Sequence, residues 1–355
     1  MYFLEVIKHY WPIILTPFLL SAFFTLLALY VFPKIGLMDR PKRYGLKRAP
    51  IPYYGGLAVF FSFLISVFAF VDIDRSELAL LIAGSLIALI GFLDDLLSLS
   101  PILRIFCQIL AGSLLAFFGV GILSFNLPFV GVIDLDWPLF EFFGTTIPIL
   151  GMLFTIFWVV AVINTVNFID GVSGLTSGVT FISALTIFVL SVHPTIHENP
   201  ASQAGLASIA LILAMVSLGF LIFDFPKPKI LMGDTGSTFL GFMLATLAIF
   251  AGGKVATAFL VLGIPILDMV WVVLRRTYEG KKFWHGDLKH LHHRLMDIGL
   301  SKRQVLILYY AITAVFGISA VSFVSTQQKF FVLIALVILM LLLAFALVFI
   351  PSRKK

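Results

Sequence analysis

Long apolar runs, following one another with little polar sequence between them, dictate most of what this chain can become. Blocks of this kind lie near 11–33, 53–71, 78–93, 102–123, 147–166, 174–192, 203–223, 236–251, 255–274, 305–325 and 330–350. A helix that crosses the hydrocarbon core of a bilayer needs about 20 apolar residues, and most of the blocks approach that length. Of the 355 residues, 61% are hydrophobic and only 12% charged, whereas a soluble domain carries about 25% charged residues. The expected fold class is all-α: a polytopic transmembrane helical bundle of about 11 helices, forming a single integral membrane domain over 1–355. The third and eighth blocks are short for a span, which places their neighbours Asp94 and Gly233 in the headgroup layer. The first block runs too far to be the core of a signal peptide and is read as a retained helix.

The charges then orient the bundle. If the blocks alternate across the bilayer, 20 of the 24 Lys and Arg residues fall on one side and 4 on the other. The excess of Lys and Arg in cytoplasmic loops puts that basic side inside, with the N-terminus outside and the C-terminus cytoplasmic. The net charge of +6 is accounted for by this bias and by anionic lipid, and no long basic stripe points to nucleic acid. Cys107, the one cysteine, reads as a small buried apolar residue. On the outer side, VGVIDLDW alternates as a small β-hairpin would, and His193 and His197 read as solvated loop residues.

The chemistry-bearing motifs gather on the basic side. GFLDDLLS places Asp94 and Asp95 at a helix end, where an ionised carboxylate near hydrocarbon costs several kcal/mol unless it is paired, hydrated or metal-bound. NTVNFIDGVSGLTSG spaces Asn164, Asn167 and Asp170 three apart, the spacing of one helix face. The glycines after them permit tight turns, and the helix that follows presents an anion-friendly N-terminus. KPKILMGDTGSTFLG holds Asp234 among small residues, with Thr235 or Ser237 as candidate helix caps; the ending of a nucleotide P-loop is absent. HGDLKHLHHRL concentrates His285, His290, His292, His293 and Arg294, suited to phosphate oxygens, and it lacks the HExxH of a zinc protease. The basic loop MDRPKRYGLKRAPIPYYGG brings Lys47 and Arg48 to the membrane. Loops 34–52, 94–101, 164–174, 224–236 and 275–304 together would form an active site. Carboxylates and carboxamides suited to a hard cation beside anion-binding helix ends are the equipment of phosphoryl transfer.

In order, PIPYYGG, LDD, NxxNFxDGxxGL, MGDTGS and HLHHRL make the chain resemble the polyprenyl-phosphate N-acetylhexosamine-1-phosphate transferases over nearly its whole length. HGDLKHLHHRL points to the bacterial branch that makes the first lipid-linked sugar of O-antigen, enterobacterial common antigen or teichoic acid. Relatives often carry a histidine before PIP and an arginine after it; here stand Lys47, Arg48 and Tyr54. The resemblance implies transfer of N-acetylglucosamine 1-phosphate from UDP-N-acetylglucosamine to undecaprenyl phosphate, at the cytoplasmic face of the inner membrane. It implies Mg²⁺, with Mn²⁺ as a substitute, held by Asn167 and Asp234. Asp94 and Asp95 would lie at the reacting phosphates, and Asp170 near the uridine or the lipid phosphate. His290, His292, His293 and Arg294, with Asn164, Lys47 and Arg48, would bind substrate, and family analogy suggests a homodimer. Other UDP-N-acetylhexosamines and the phospho-MurNAc-pentapeptide donor stay open. The rival class, a secondary transporter, would carry its ionisable residues near the midplane rather than at one face.

Overall fold

The computed structural model describes residues 2–41, 48–127, 130–142, 145–193, 203–251, 259–278, 280, 291–323 and 325–349. The described helices are α1 (Tyr2–Ile35), α2 (Gly56–Phe70), α3 (Arg75–Leu97), α4 (Pro101–Phe117), α5 (Ile149–Ile169) and α6 (Leu175–Val192). They continue with α7 (Ala204–Asp224), α8 (Gly233–Phe250), α9 (Gly263–Tyr278), α10 (Leu291–Asp297), α11 (Lys302–Ser322) and α12 (Thr326–Phe349). Seven are long and apolar enough to cross a membrane and four more are shorter apolar helices, among the described residues. Every one coincides with an apolar block of the sequence, so the protein is an all-α polytopic membrane protein. The addition is α10, seven residues long, which carries the histidines.

The expected outer hairpin is present as β1 (Ser124–Leu127) paired antiparallel with β2 (Gly131–Asp134). A second hairpin, β3 (Leu139–Phe142) with β4 (Thr145–Pro148), follows it.

One helix organises the bundle. The span over α8 is the most buried, at 83%, and α8 packs against α2, α3, α5, α6 and α7. Its small residues explain this, because lipid supplies no hydrophobic drive between helices and close packing must do so. A Cβ on Gly56 of α2 would lie 2.1 Å from the Gly236 nitrogen. One on Gly91 of α3 would lie 2.7 Å from the Thr235 Cα, and one on Gly241 would lie 2.9 Å from the Ile163 Cα of α5. Three backbones therefore touch α8 directly. The Trp158 ring nitrogen donates to the Ala245 carbonyl at 3.1 Å, a further tie between α5 and α8. Buried hydroxyls such as Ser62, Ser66 and Thr246 donate to carbonyls one turn back, which satisfies them without water.

Helix ends account for the loops. Asp74 caps α3 by accepting from the Ser76 and Glu77 amides, Ser100 caps α4, and Ser301 forms a capping box with Gln304 at α11. Contrary to the sequence expectation, α3 is not short. No breaker stands before Ser98, so the helix runs on through Asp94 and Asp95 and stops where Ser98 turns left-handed at φ 54°.

Candidate active site

The site is built from one end of the bundle. The segment before α2 zips onto the segment before α8. The Leu231 amide donates to the Pro52 carbonyl, and the Gly55 and Gly56 amides donate to the Leu231 and Met232 carbonyls. That ladder brings PIPYYGG beside MGDTGS and sets the first turn of α8 next to the last turn of α3.

Asp95 completes the join. Its carboxylate accepts from the Asp234 amide at 2.8 Å, the Thr235 amide at 2.9 Å and the Thr235 hydroxyl at 2.6 Å. The cap of α8 is thus a carboxylate from another helix, not Thr235 or Ser237 as the sequence suggested. Those residues are spent otherwise: Thr235 donates to Asp95, and Ser237 donates to the Gly233 carbonyl while accepting from Asn167. Gly233 stands at φ +75°, and a Cβ there would meet an Asp95 oxygen at 2.7 Å, so only glycine lets the carboxylate reach the amides. Tyr53 lines the same cavity as Asp95, and burial, followed by the charges of Asp95, Asp234 and Asp170, holds the Tyr53 hydroxyl well above its usual range. Tyr53 therefore stays a donor.

Asp94, on the same turn, is buried. It accepts from the Leu99 amide at 2.7 Å and from the Arg104 guanidinium at 2.9 Å. Arg104 reaches Asp234 as well, at 3.7 Å. One guanidinium thus lies between two carboxylates, a charge-assisted arrangement. Asn167 donates its amide to Asp234 at 2.8 Å and to Ser237 at 2.8 Å. A cavity of about 540 Å³ opens here, lined by Arg40, Tyr53, Asp94, Asp95, Arg104 and Asp234 among others.

Next to it lies a second group. The turn after α5 carries Asp170, half-buried. Burial, then the charge of Asp224, raises its carboxyl well above the ordinary carboxylate range, and the Thr176 hydroxyl pulls the other way. Both α10 histidines crowd this turn: a Cβ on Gly171 would lie 2.7 Å from the His292 Nε2 and 3.4 Å from the His293 Nε2. Their rings are 4.3 Å apart; His292 is fully buried and Arg294 half-buried. The Leu291 amide at the head of α10 donates to Asp268 of α9 at 2.8 Å.

The structure therefore joins Asp94 to Asp234 through Arg104, ties Asp95 to the Asp234 amide and Asn167 to the Asp234 carboxylate, and sets Asp170, His292 and His293 alongside. It separates others. Asn164 lies on the same side of α5 as Asn167, since residues three apart are about 60° apart around a helix, but its amide donates to Gln108 of α4 at 2.7 Å and not to Asp234. Arg48 is exposed and paired with Asp39, which also accepts from the Ile51 amide at 2.8 Å. The α6 N-terminus is filled by the Asp224 carboxylate, which accepts from the Gly174 amide and the Ser177 hydroxyl. Lys47, His285 and His290 lie outside the described residues. Cys107 is buried and free, as read. Arg104, Tyr53 and Asp268 escaped the sequence reading. Arg104 carried one legible signal, a lone cation a turn inside a helix opened by Ser-Pro.

Known proteins resemble this chain over the same residues. The model of glycosyl transferase family 4 matches residues 77–252, the stretch that supplies both aspartates of α3, Arg104, Asn167, Asp170 and Asp234. A probable undecaprenyl-phosphate N-acetylglucosaminyl 1-phosphate transferase of Bacillus subtilis is 29% identical, over 88% of this chain and 84% of its own length. A decaprenyl-phosphate N-acetylglucosaminephosphotransferase of Mycobacterium tuberculosis is 31% identical over 81% and 76%. An undecaprenyl-phosphate alpha-N-acetylglucosaminyl 1-phosphate transferase of Escherichia coli K12 is 30% identical over 93% and 87%. With likeness of this extent covering the helix ends that meet in the cavity, the chain belongs to glycosyl transferase family 4.

Proposed function

We propose that this protein transfers N-acetylglucosamine 1-phosphate from UDP-N-acetylglucosamine to undecaprenyl phosphate, giving undecaprenyl-diphosphate-N-acetylglucosamine and UMP. The observation that carries the reading is the meeting of Asp94, Arg104, Asn167 and Asp234 at one mouth of a membrane bundle. A soluble nucleotide sugar and a lipid phosphate can meet only at such a boundary. The names of the relatives support the donor and the acceptor, and the bias of basic residues supports a cytoplasmic mouth.

The donor set suits Mg²⁺. Asp234 and Asn167 offer a carboxylate and a carboxamide, both oxygen ligands, beside an open cavity. No group of three or more His, Cys, Asp or Glu residues that could hold a metal occurs among the described residues. Mg²⁺ does not need one, since it binds through one or two carboxylates plus substrate phosphates and water. Asp234 and Asn167 would hold it, and its contribution when bound is to neutralise diphosphate charge as UMP leaves.

The residues then divide the work of a single displacement. An oxygen of the lipid phosphate forms a bond to the phosphorus bearing the sugar, and the bond from that phosphorus to the UMP oxygen breaks. The second pKa of a phosphate monoester is about 6, so the attacking group is largely ionised at neutral pH and positioning outweighs base catalysis. Arg104 stands where negative charge would gather. Asp170 keeps its proton to higher pH than an ordinary carboxyl and can donate to a ligand oxygen. His292 and His293, against Gly171, are assigned to the donor's diphosphate or sugar. A covalent phospho-aspartate is disfavoured because Asp95 already accepts three donors and Asp94 two. The test is a panel of UDP-sugars incubated with undecaprenyl phosphate and purified protein, with products weighed by mass spectrometry. The expected product carries one phospho-N-acetylglucosamine; a product formed from a different UDP-sugar alone would overturn the donor assignment.

A further inference from the structure

Asp224, the last residue of α7, is a buried carboxylate at 2% exposure that the displacement above does not use. A single oxygen, Oδ2, accepts from both the Gly174 amide at 2.9 Å and the Ser177 hydroxyl at 3.0 Å. Gly174 stands left-handed at φ +87°, and its own carbonyl accepts the Tyr310 hydroxyl of α11. Tyr310 is pressed against α6 at Gly178, where a Cβ would fall 2.2 Å from the ring. The peptide groups on either side of Gly174 are thus held by two different helices. Gly174 closes the turn that opens at Asp170. On its other side Asp224 begins the segment that leads into Asp234, folded back by the Lys229 amide on the Phe223 carbonyl at 2.9 Å.

We propose that Asp224 is a positioning residue that fixes the Asp170 turn relative to Asp234, acting with Tyr310 through Gly174. The inference deepens the transferase reading and rests on it. Because both bonds end on one oxygen, a carboxamide oxygen can replace it, so Asp224→Asn keeps the tie and Asp224→Ala breaks it. A shift of about 1 Å at a reacting group costs on the order of 10²-fold in rate. The expected result is that Asp224→Ala loses about that much kcat, with the KM for UDP-N-acetylglucosamine little changed, while Asp224→Asn stays near the wild-type rate. Tyr310→Phe should lose rate in the same direction, and its effect should not add fully to that of Asp224→Ala. Equal damage from Asp224→Asn and Asp224→Ala would overturn the proposal, as would a wild-type rate in Asp224→Ala. Amide hydrogen exchange at 170–178 provides a reading that needs no turnover. Faster exchange in Asp224→Ala, but not in Asp224→Asn, supports the tie even if the wild-type protein released no UMP. Unchanged exchange in Asp224→Ala would sink it, whatever the reaction is.

Discussion

At the scale of single residues, Asp94 and Asp95 look interchangeable in the sequence and are not. Asp94 faces a guanidinium that it shares with Asp234, whereas Asp95 is consumed in capping α8. Adjacent helix positions point about 100° apart, so neighbours in a motif enter different partnerships. If Asp234 holds the cation as proposed, Asp234→Asn should abolish UMP release from purified protein that still elutes as a folded membrane protein, because it would remove the charge that partners Mg²⁺. Near-normal turnover of that variant would refute its assignment. Arg104→Ala should reduce kcat by about 10²-fold or more, the usual cost of a lost charge-stabilising donor. Arg104→Lys should recover part of the loss. A steady-state comparison of the two variants checks this, and equal activity of Arg104→Ala and wild type would remove Arg104 from the site.

At the scale of elements, the apolar blocks were fully legible, since spans in lipid must be long and apolar. All eleven described apolar helices sit where hydropathy puts them. The ends were less legible. The extension of α3 through Asp94 and Asp95 was missed because two carboxylates look like the start of a loop, although Arg104 and the α8 amides satisfy them. The bond from Asn164 to Gln108 was not legible either, because its partner lies 56 residues away and no local pattern announces it. The cap of α8 comes from 139 residues away. Asp95→Ala should therefore leave two amides and a hydroxyl without their acceptor, a loss of about 1–2 kcal/mol for a cap. The measurement is the midpoint of chemical unfolding in detergent, expected to fall; an unchanged midpoint would mean the cap contributes nothing. Gly91→Ala must push α3 away from Thr235, which is 2.7 Å from the new Cβ. Lower yield of folded protein and lost activity are expected together, and a fully active Gly91→Ala would show that the helices can part without harm.

At the scale of the whole molecule, one-sidedness is the unifying feature. The ends of α3, α5 and α7 and the starts of α2, α4, α6 and α8 meet at one mouth, and the residues with chemistry are there. A charge count that ignored every acidic motif had placed them all on the basic side. Sidedness itself is testable with a Cys107→Ser background carrying Ser98→Cys or Asp72→Cys, positions exposed at opposite ends of the α3 region. In intact right-side-out cells, an impermeant maleimide should label Asp72→Cys and spare Ser98→Cys; the reverse pattern would invert the orientation. The central claim is that this mouth transfers a phosphosugar rather than passing one across the bilayer. Its most direct measurement is UMP release by purified protein supplied with UDP-N-acetylglucosamine, undecaprenyl phosphate and Mg²⁺, each omitted in turn. The account predicts UMP in step with lipid-linked product, lost when the lipid, the cation or the donor is left out. Uptake of intact UDP-sugar into proteoliposomes with no UMP formed would contradict it.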